Sequence, residues 1–274
     1  MTQVFAGLFV VLVLASIAGY ALQLRRPSPA IDNLNTRIRA WWAMITIGGL
    51  VLLGGRYAVI ALFAALSLAA LSEFLAPLGW IARAAWLSQY AALAAGWPLA
   101  ALSTAPLLAV ATGDRTRGAG ILLCVYGLAH APAILLLHVN GDRTALVFFL
   151  VLIVQSSDVL QYIWGKLCGR HKIAPRLSPA KTIEGFVGGV LSATLLGALL
   201  SHLLTPFGRW EAAGLALLLT VAGFCSGLVF SALKRQRGIK DWGHTIAGHG
   251  GVLDRVDSLC LSAPVGYYAI QWLA

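Results

Sequence analysis

The sequence is short of charge, and of acid above all. Only 11% of its 274 residues are Asp, Glu, Lys or Arg, against roughly 25% in soluble domains. Ten are acidic. No polar stretch is long enough to fold alone, which excludes a separate soluble domain. Four cysteines (Cys124, Cys168, Cys225, Cys260) stand singly with no C-x-x-C. That excludes a disulfide framework and a zinc site, and reads as small apolar packing. Repeats and low-complexity segments are missing. The run 2–24 has no basic leader and is too long for a signal-peptide core, so it reads as a retained first transmembrane helix.

What is abundant is apolar surface. The chain is 59% hydrophobic, with a mean hydropathy of +0.82. The fold class is therefore an all-α, polytopic membrane protein. Apolar segments fall at 2–24, 41–55, 57–77, 84–112, 120–138, 146–164, 182–204, 211–231 and 258–274. A helix needs about 20 residues to cross. Segment 84–112 carries Pro98 and Pro106, is long for one helix and short for two, and predicts a broken or re-entrant hairpin. Eight or ten crossings result.

The net charge of +10 is not a nucleic-acid signal, because the cations sit in short loops. Arg25, Arg26, Arg37 and Arg39 lie in 25–40, and Arg115 and Arg117 in 113–119. Lys166, Arg170, Lys172, Arg176 and Lys181 lie in 165–181, and Lys234, Arg235, Arg237, Lys240 and Arg255 in 232–257. Positive charge predicts that all four loops face the cytoplasm and touch anionic headgroups. The chain divides softly into a motif-poor region 1–119 and a region 120–274 that holds the polar motifs.

Half of the carboxylates, namely Asp158, Glu184, Asp241, Asp254 and Asp257, fall in or beside the two C-terminal basic loops. Asp158 ends an apolar run, where a carboxylate is costly unless paired or metal-bound; an ion pair with Lys166 or Lys172 is the plainer reading. Asp254 and Asp257 are three apart, so a helix starting near Leu253 points both from one face. Two such carboxylates make half of an octahedral Mg²⁺ site that takes its other ligands from phosphates and water. Their plainer role is to complement a helix dipole. Gly248, Gly250 and Gly251 leave amides open to a ligand, and His249 among them, with His244 a weaker case, can donate to a phosphate. His130, His138 and His202 lie on apolar spans and read as structural. Ser178-Pro179 reads as a helix start that aims free amides at an anion, with Lys181 and Thr182 nearby. Glu184, in the same turn, can serve a metal or a base.

Residues 231–257 contain S-x-x-K-R, K-D and H-G-G-x-x-D-R-x-D. Residues 158–189 contain Asp158, Tyr162, Gly165-Lys166, Gly169-Arg170-His171-Lys172 and S-P-x-K-T-x-E-G from Ser178 to Gly185. In order and spacing these resemble the phosphatidate cytidylyltransferases (CDP-diacylglycerol synthases). The resemblance implies CTP and phosphatidic acid as substrates, CDP-diacylglycerol and pyrophosphate as products, and Mg²⁺ with room for a second cation. It implies metal ligation at Asp254, Asp257 and Asp158. It implies catalytic roles for Asp254, Lys234, Lys181 and Asp241. Substrate contacts fall to Ser178, Arg235, Lys240, His249, Gly250, Arg255, Lys166 and Lys172. The implied setting is the bacterial inner membrane with the site on the cytoplasmic side, among membrane lipids, as a homodimer. The chain departs from the pattern at Gly227, where the family usually keeps an aspartate, and at Phe230, Ala247 and Val159–Gln161. It thus looks like a divergent branch. Its rivals are a CTP-dependent enzyme on another lipid phosphate or a polyprenol, and a non-catalytic paralogue that binds nucleotide or lipid.

Overall fold

A computed structural model of the chain describes residues 2–25, 28–245 and 250–274. It is built almost entirely of helices: α1 (Thr2–Arg25), α2 (Pro29–Leu53), α3 (Gly55–Phe74), α4 (Trp80–Ala95), α5 (Pro98–Ala111), α6 (Arg115–Leu136), α7 (Arg143–Leu167), α8 (Ile183–Leu204), α9 (Arg209–Gln236), α10 (Leu253–Val256) and α11 (Leu259–Leu273). Among the described residues, six helices (α1, α3, α6, α7, α8 and α9) are long and apolar enough to cross a membrane. α5 and the apolar part of α2 are shorter.

Two boundaries differ from the sequence reading. Residues 29–40, expected in a basic loop, form the first half of α2. The local signal is Ser28, whose Oγ accepts from Ile31 N at 3.4 Å, followed by Pro29 at the first helical position. The second is the Ser178-Pro179 start. These residues are extended, in a hairpin of β1 (Lys172–Ala174) and β2 (Ser178–Thr182). A residue before proline is pushed out of the helical region. The helix begins four residues later, where Thr182 Oγ1 accepts from Gly185 N at 3.1 Å. The hairpin is the two-stranded sheet of an otherwise mostly helical chain.

Segment 84–112 is broken, as its prolines predict. α4 ends at Gly96, a left-handed residue at φ 83°, and α5 starts at Pro98 and packs back on α4. Arg56 serves this turn: its Nη2 donates to the carbonyls of Leu93 (3.0 Å) and Ala94 (3.2 Å) at the end of the helix.

α6 is the central element. Ile121, Cys124, Val125, Leu128 and Ile134 along it are fully buried, and one turn, Ile121–Gly127, is wound as a wider π-helix. Ser67 on α3 donates to Cys124 O at 2.7 Å, which satisfies a carbonyl on that turn. His130 is structural, as expected: its Nδ1 lies 2.7 Å from Tyr126 O, and Tyr126, Tyr267 and Tyr268 surround the ring. His138 and His202 are exposed instead. Cys124 and Cys260 pack in the core, whereas Cys168 and Cys225 are exposed and do not fit the small-packing role.

Candidate active site

Four helices and the hairpin enclose a cavity of about 310 Å³. α7 contributes Asp158, Gln161 and Tyr162, and the hairpin contributes Ser178, Ala180, Lys181 and Thr182. α8 adds Gly185 and Phe186, and α9 adds Phe224, Gly227 and Ser231. The α10 turn and the residues after it add Asp254, Arg255, Asp257 and Ser258. Glycine makes this convergence possible. A Cβ on Gly185 would stand 2.8 Å from Gln161 O and one on Gly189 would strike Gln161, so α7 and α8 touch through their backbones. That contact brings Asp158 beside the hairpin carrying Ser178 and Lys181.

Glu184 has a structural role that the sequence reading did not foresee. It accepts from Arg170 N at 3.0 Å, from His171 N at 3.2 Å and from His171 Nδ1 at 2.6 Å, and so pins the base of the hairpin to α8. Lys181 reaches into the cavity between Asp158 and Asp257. Burial lowers the pKa of its ammonium, and the two carboxylates oppose that shift. Its Nζ lies 4.5 Å from the Phe224 ring centroid and 3.4 Å from Phe224 O. A Cβ at Gly227 would be 2.7 Å from this Nζ. The position where a carboxylate was expected is therefore bare backbone against the lysine.

Asp254 is fully engaged. Oδ1 accepts from Lys234 Nζ at 2.9 Å, and Oδ2 accepts from Trp242 N (2.8 Å) and Gly251 N (2.9 Å). This alters one expectation: the Gly251 amide is not open to a ligand. Asp254 holds the loop and the lysine from its place on the cavity wall. Asp158 and Asp257 line the cavity beside it. Among the described residues, Asp158 makes no ion pair with Lys166 or Lys172. Asp257 is pushed up to about 7, first by burial and then by neighbouring Asp158, with Lys234 and Lys181 acting against the rise. Next to it, the Ser258 hydroxyl is buried beside Asp158.

No three His, Cys, Asp or Glu side chains converge as a metal cage among the described residues. Magnesium rarely asks for one: it usually takes one or two carboxylates and fills its octahedron with water and substrate phosphates. Asp158 and Asp257, with the Ser258 hydroxyl beside them on the cavity wall, fit that mode.

The other expected residues lie outside the cavity wall. Lys166 sits 5.9 Å from the Tyr162 ring centroid, and Lys172 is exposed on β1. Arg235 is spent on backbone, donating to Leu177 O (3.2 Å) and Ile239 O (3.0 Å), and so ties the end of α9 to the hairpin. Lys240, Asp241 and His244 are exposed. Gly250 takes a φ of 79° beside Asp254. Gly248 and His249 lie outside the described residues.

Glu73 lies far from both motif blocks in sequence, yet its carboxylate accepts from Val252 N (2.9 Å), Leu253 N (2.8 Å) and Thr245 Oγ1 (2.7 Å). The available signal was a lone carboxylate in the apolar run 57–77.

YnbB of Escherichia coli (strain K12), named as an uncharacterized protein, is 34% identical over 289 aligned positions that cover 97% of each chain. A phosphatidate cytidylyltransferase of Brucella abortus is 43% identical over 121 residues, 44% of this chain and 45% of its own. One from Staphylococcus aureus (strain COL) is 39% identical over 120 residues, 43% and 46% respectively. The chain thus spans under half the length of these two named relatives. The model of the cytidylyltransferase family matches residues 35–273, a span that contains every wall of the cavity, and the chain belongs to that family of nucleotidyltransferases.

Proposed function

We propose that the protein transfers CMP from CTP to phosphatidic acid, giving CDP-diacylglycerol and pyrophosphate, with Mg²⁺, at the cytoplasmic face of a bacterial inner membrane. The observation that carries this reading is the cavity: Asp158 and Asp257 share it with Lys181 and Arg255, between apolar helices that suit a lipid tail.

The chemistry asks little of a base, because the lipid phosphate oxygen that attacks the α-phosphorus of CTP is already an anion. A bond forms from that oxygen to the α-phosphorus as the bond to the β-phosphate bridge oxygen breaks, and pyrophosphate leaves. What remains is alignment and charge neutralisation. Asp158 and Asp257 would hold Mg²⁺, which would supply positive charge to offset that of the phosphates and the leaving group. Lys181 and Arg255 hold phosphate from opposite walls, and Ser178 and Ser258 offer hydroxyl donors. Lys234, oriented by Asp254, adds positive charge behind them.

A second reading, transfer to a different lipid phosphate, is favoured by one observation. The full-length likeness is to YnbB, whereas the likeness to the named phosphatidate enzymes covers under half of each chain. The test uses purified full-length protein in detergent, labelled CTP, Mg²⁺ and a panel of phosphatidic acid, isoprenoid phosphate and free polyprenol. Liponucleotide and pyrophosphate from phosphatidic acid alone support the first reading, and liponucleotide from another phosphate supports the second. CDP with a phosphorylated lipid, or CTP binding without turnover, overturns both.

A further inference from the structure

Glu73 breaks a local rule. It sits in the last turn of α3, where the helix dipole disfavours an anion, with no basic residue in that turn to offset it. Its compensation is tertiary: two consecutive main-chain amides, Val252 and Leu253, and the Thr245 hydroxyl, all more than 170 residues away, donate to it. The fit is close. A Cβ on Gly243 would lie 2.9 Å from Glu73 Oε1, and one on Gly251 would strike the carboxylate. The next residue of α3 continues the attachment. Arg237 donates to Phe74 O at 2.7 Å and lies 4.2 Å from the Phe74 ring and 4.9 Å from the Trp242 ring.

We infer that Glu73 is a positioning residue for the reaction, fixing the start of α10 so that Asp254 and Asp257 keep their places in the cavity. The inference rests on the cytidylyltransferase reading of that site. Three consecutive amides, 251 to 253, are held by two carboxylates from separate elements: Asp254 takes the first and Glu73 the other two. Gln in place of Glu73 puts an NH₂ group against one of these N–H donors, which leaves a half-buried donor without its acceptor. The loop then shifts, and Asp254, the next residue, shifts with it. A displacement of about 1 Å at a reacting centre costs up to about 100-fold in rate.

The experiment compares full-length native protein with Glu73→Gln in detergent, by hydrogen–deuterium exchange and by CMP transfer. Exchange in 250–257 is expected to rise about 10-fold, with α6 and α7 unchanged. The kcat is expected to fall about 10- to 100-fold with the KM for CTP within about 3-fold. Glu73→Asp, which keeps the charge, is expected to recover part of both. Native exchange in 250–257, or faster exchange with native turnover, overturns the inference. Lost turnover with native exchange also overturns it and makes Glu73 a substrate contact. If Glu73→Gln does not fold, Thr245→Val removes one of the three donors and is expected to speed the same segment by about 2- to 3-fold; unchanged exchange there overturns the inference. If the native protein transfers no CMP, the functional reading fails on its own, and the exchange comparison still decides whether Glu73 holds the loop.

Discussion

Lys234 and Asp254, twenty residues apart in sequence, form an ion pair at 2.9 Å with side chains only 13% and 5% exposed. The pair joins the end of α9 to the α10 turn, across the mouth of the loop between them. Its energetics follow from burial. Removing one partner of a buried pair leaves an uncompensated charge and costs roughly 3–5 kcal/mol, whereas replacing both is often nearly neutral. Asp254→Asn and Lys234→Met should each lower the thermal midpoint and abolish CMP transfer. The double variant should regain most of the midpoint without activity. Calorimetry in detergent with a turnover assay checks this, and near-normal turnover in Asp254→Asn would remove Asp254 from the site.

Asp158 and Asp257 should behave as the magnesium acids. Asp158→Asn and Asp257→Asn are each expected to raise the Mg²⁺ concentration for half-maximal activity at least about 10-fold, the usual order for a perturbed metal site. Titration of activity with Mg²⁺, and of the ligand-free protein with Mn²⁺ by electron paramagnetic resonance, reads this. An unchanged Mn²⁺ affinity in both variants would refute the assignment.

The raised Asp257 carboxyl predicts a pH dependence for metal binding. A carboxylate must lose its proton to ligate. With its pKa pushed up to about 7, Asp257 is largely protonated below that value. Mn²⁺ affinity should therefore fall as pH drops below about 7, approaching tenfold per unit, and level off above it. The slope should flatten in Asp257→Asn.

Glu184 holds the hairpin that carries Ser178 and Lys181. Glu184→Ala should speed hydrogen exchange in 170–182 and raise the KM for CTP about 10-fold, with a smaller effect on kcat. Unchanged exchange would show that the hairpin stands without its tether.

Much of the architecture was legible because its causes are local. Apolar runs long enough to span a bilayer predict helices wherever they fall, and Pro98 broke the segment 84–112 as its sequence suggested. The two motif blocks were legible for the same reason: each lies within about 30 contiguous residues. The hairpin was missed because Ser178-Pro179 satisfies a helix-start pattern and a strand equally well. Pairing with Lys172–Ala174 and the grip of Glu184 on the preceding turn settled the matter.

The sequence by itself thus determined a helical membrane protein with two polar blocks rich in cations and carboxylates, because hydropathy and short motifs are properties of neighbours along the chain. Only the tertiary structure decided which of those charges face one another. It left Lys166, Lys172 and Lys240 at the surface and turned Lys181 toward Asp158 and Asp257. It gave Asp254 to Lys234 and recruited Glu73 from α3 to hold the loop. The reason is physical: where a side chain points, and whether water still reaches it, depends on helices packed from distant parts of the chain, and no local periodicity carries that information.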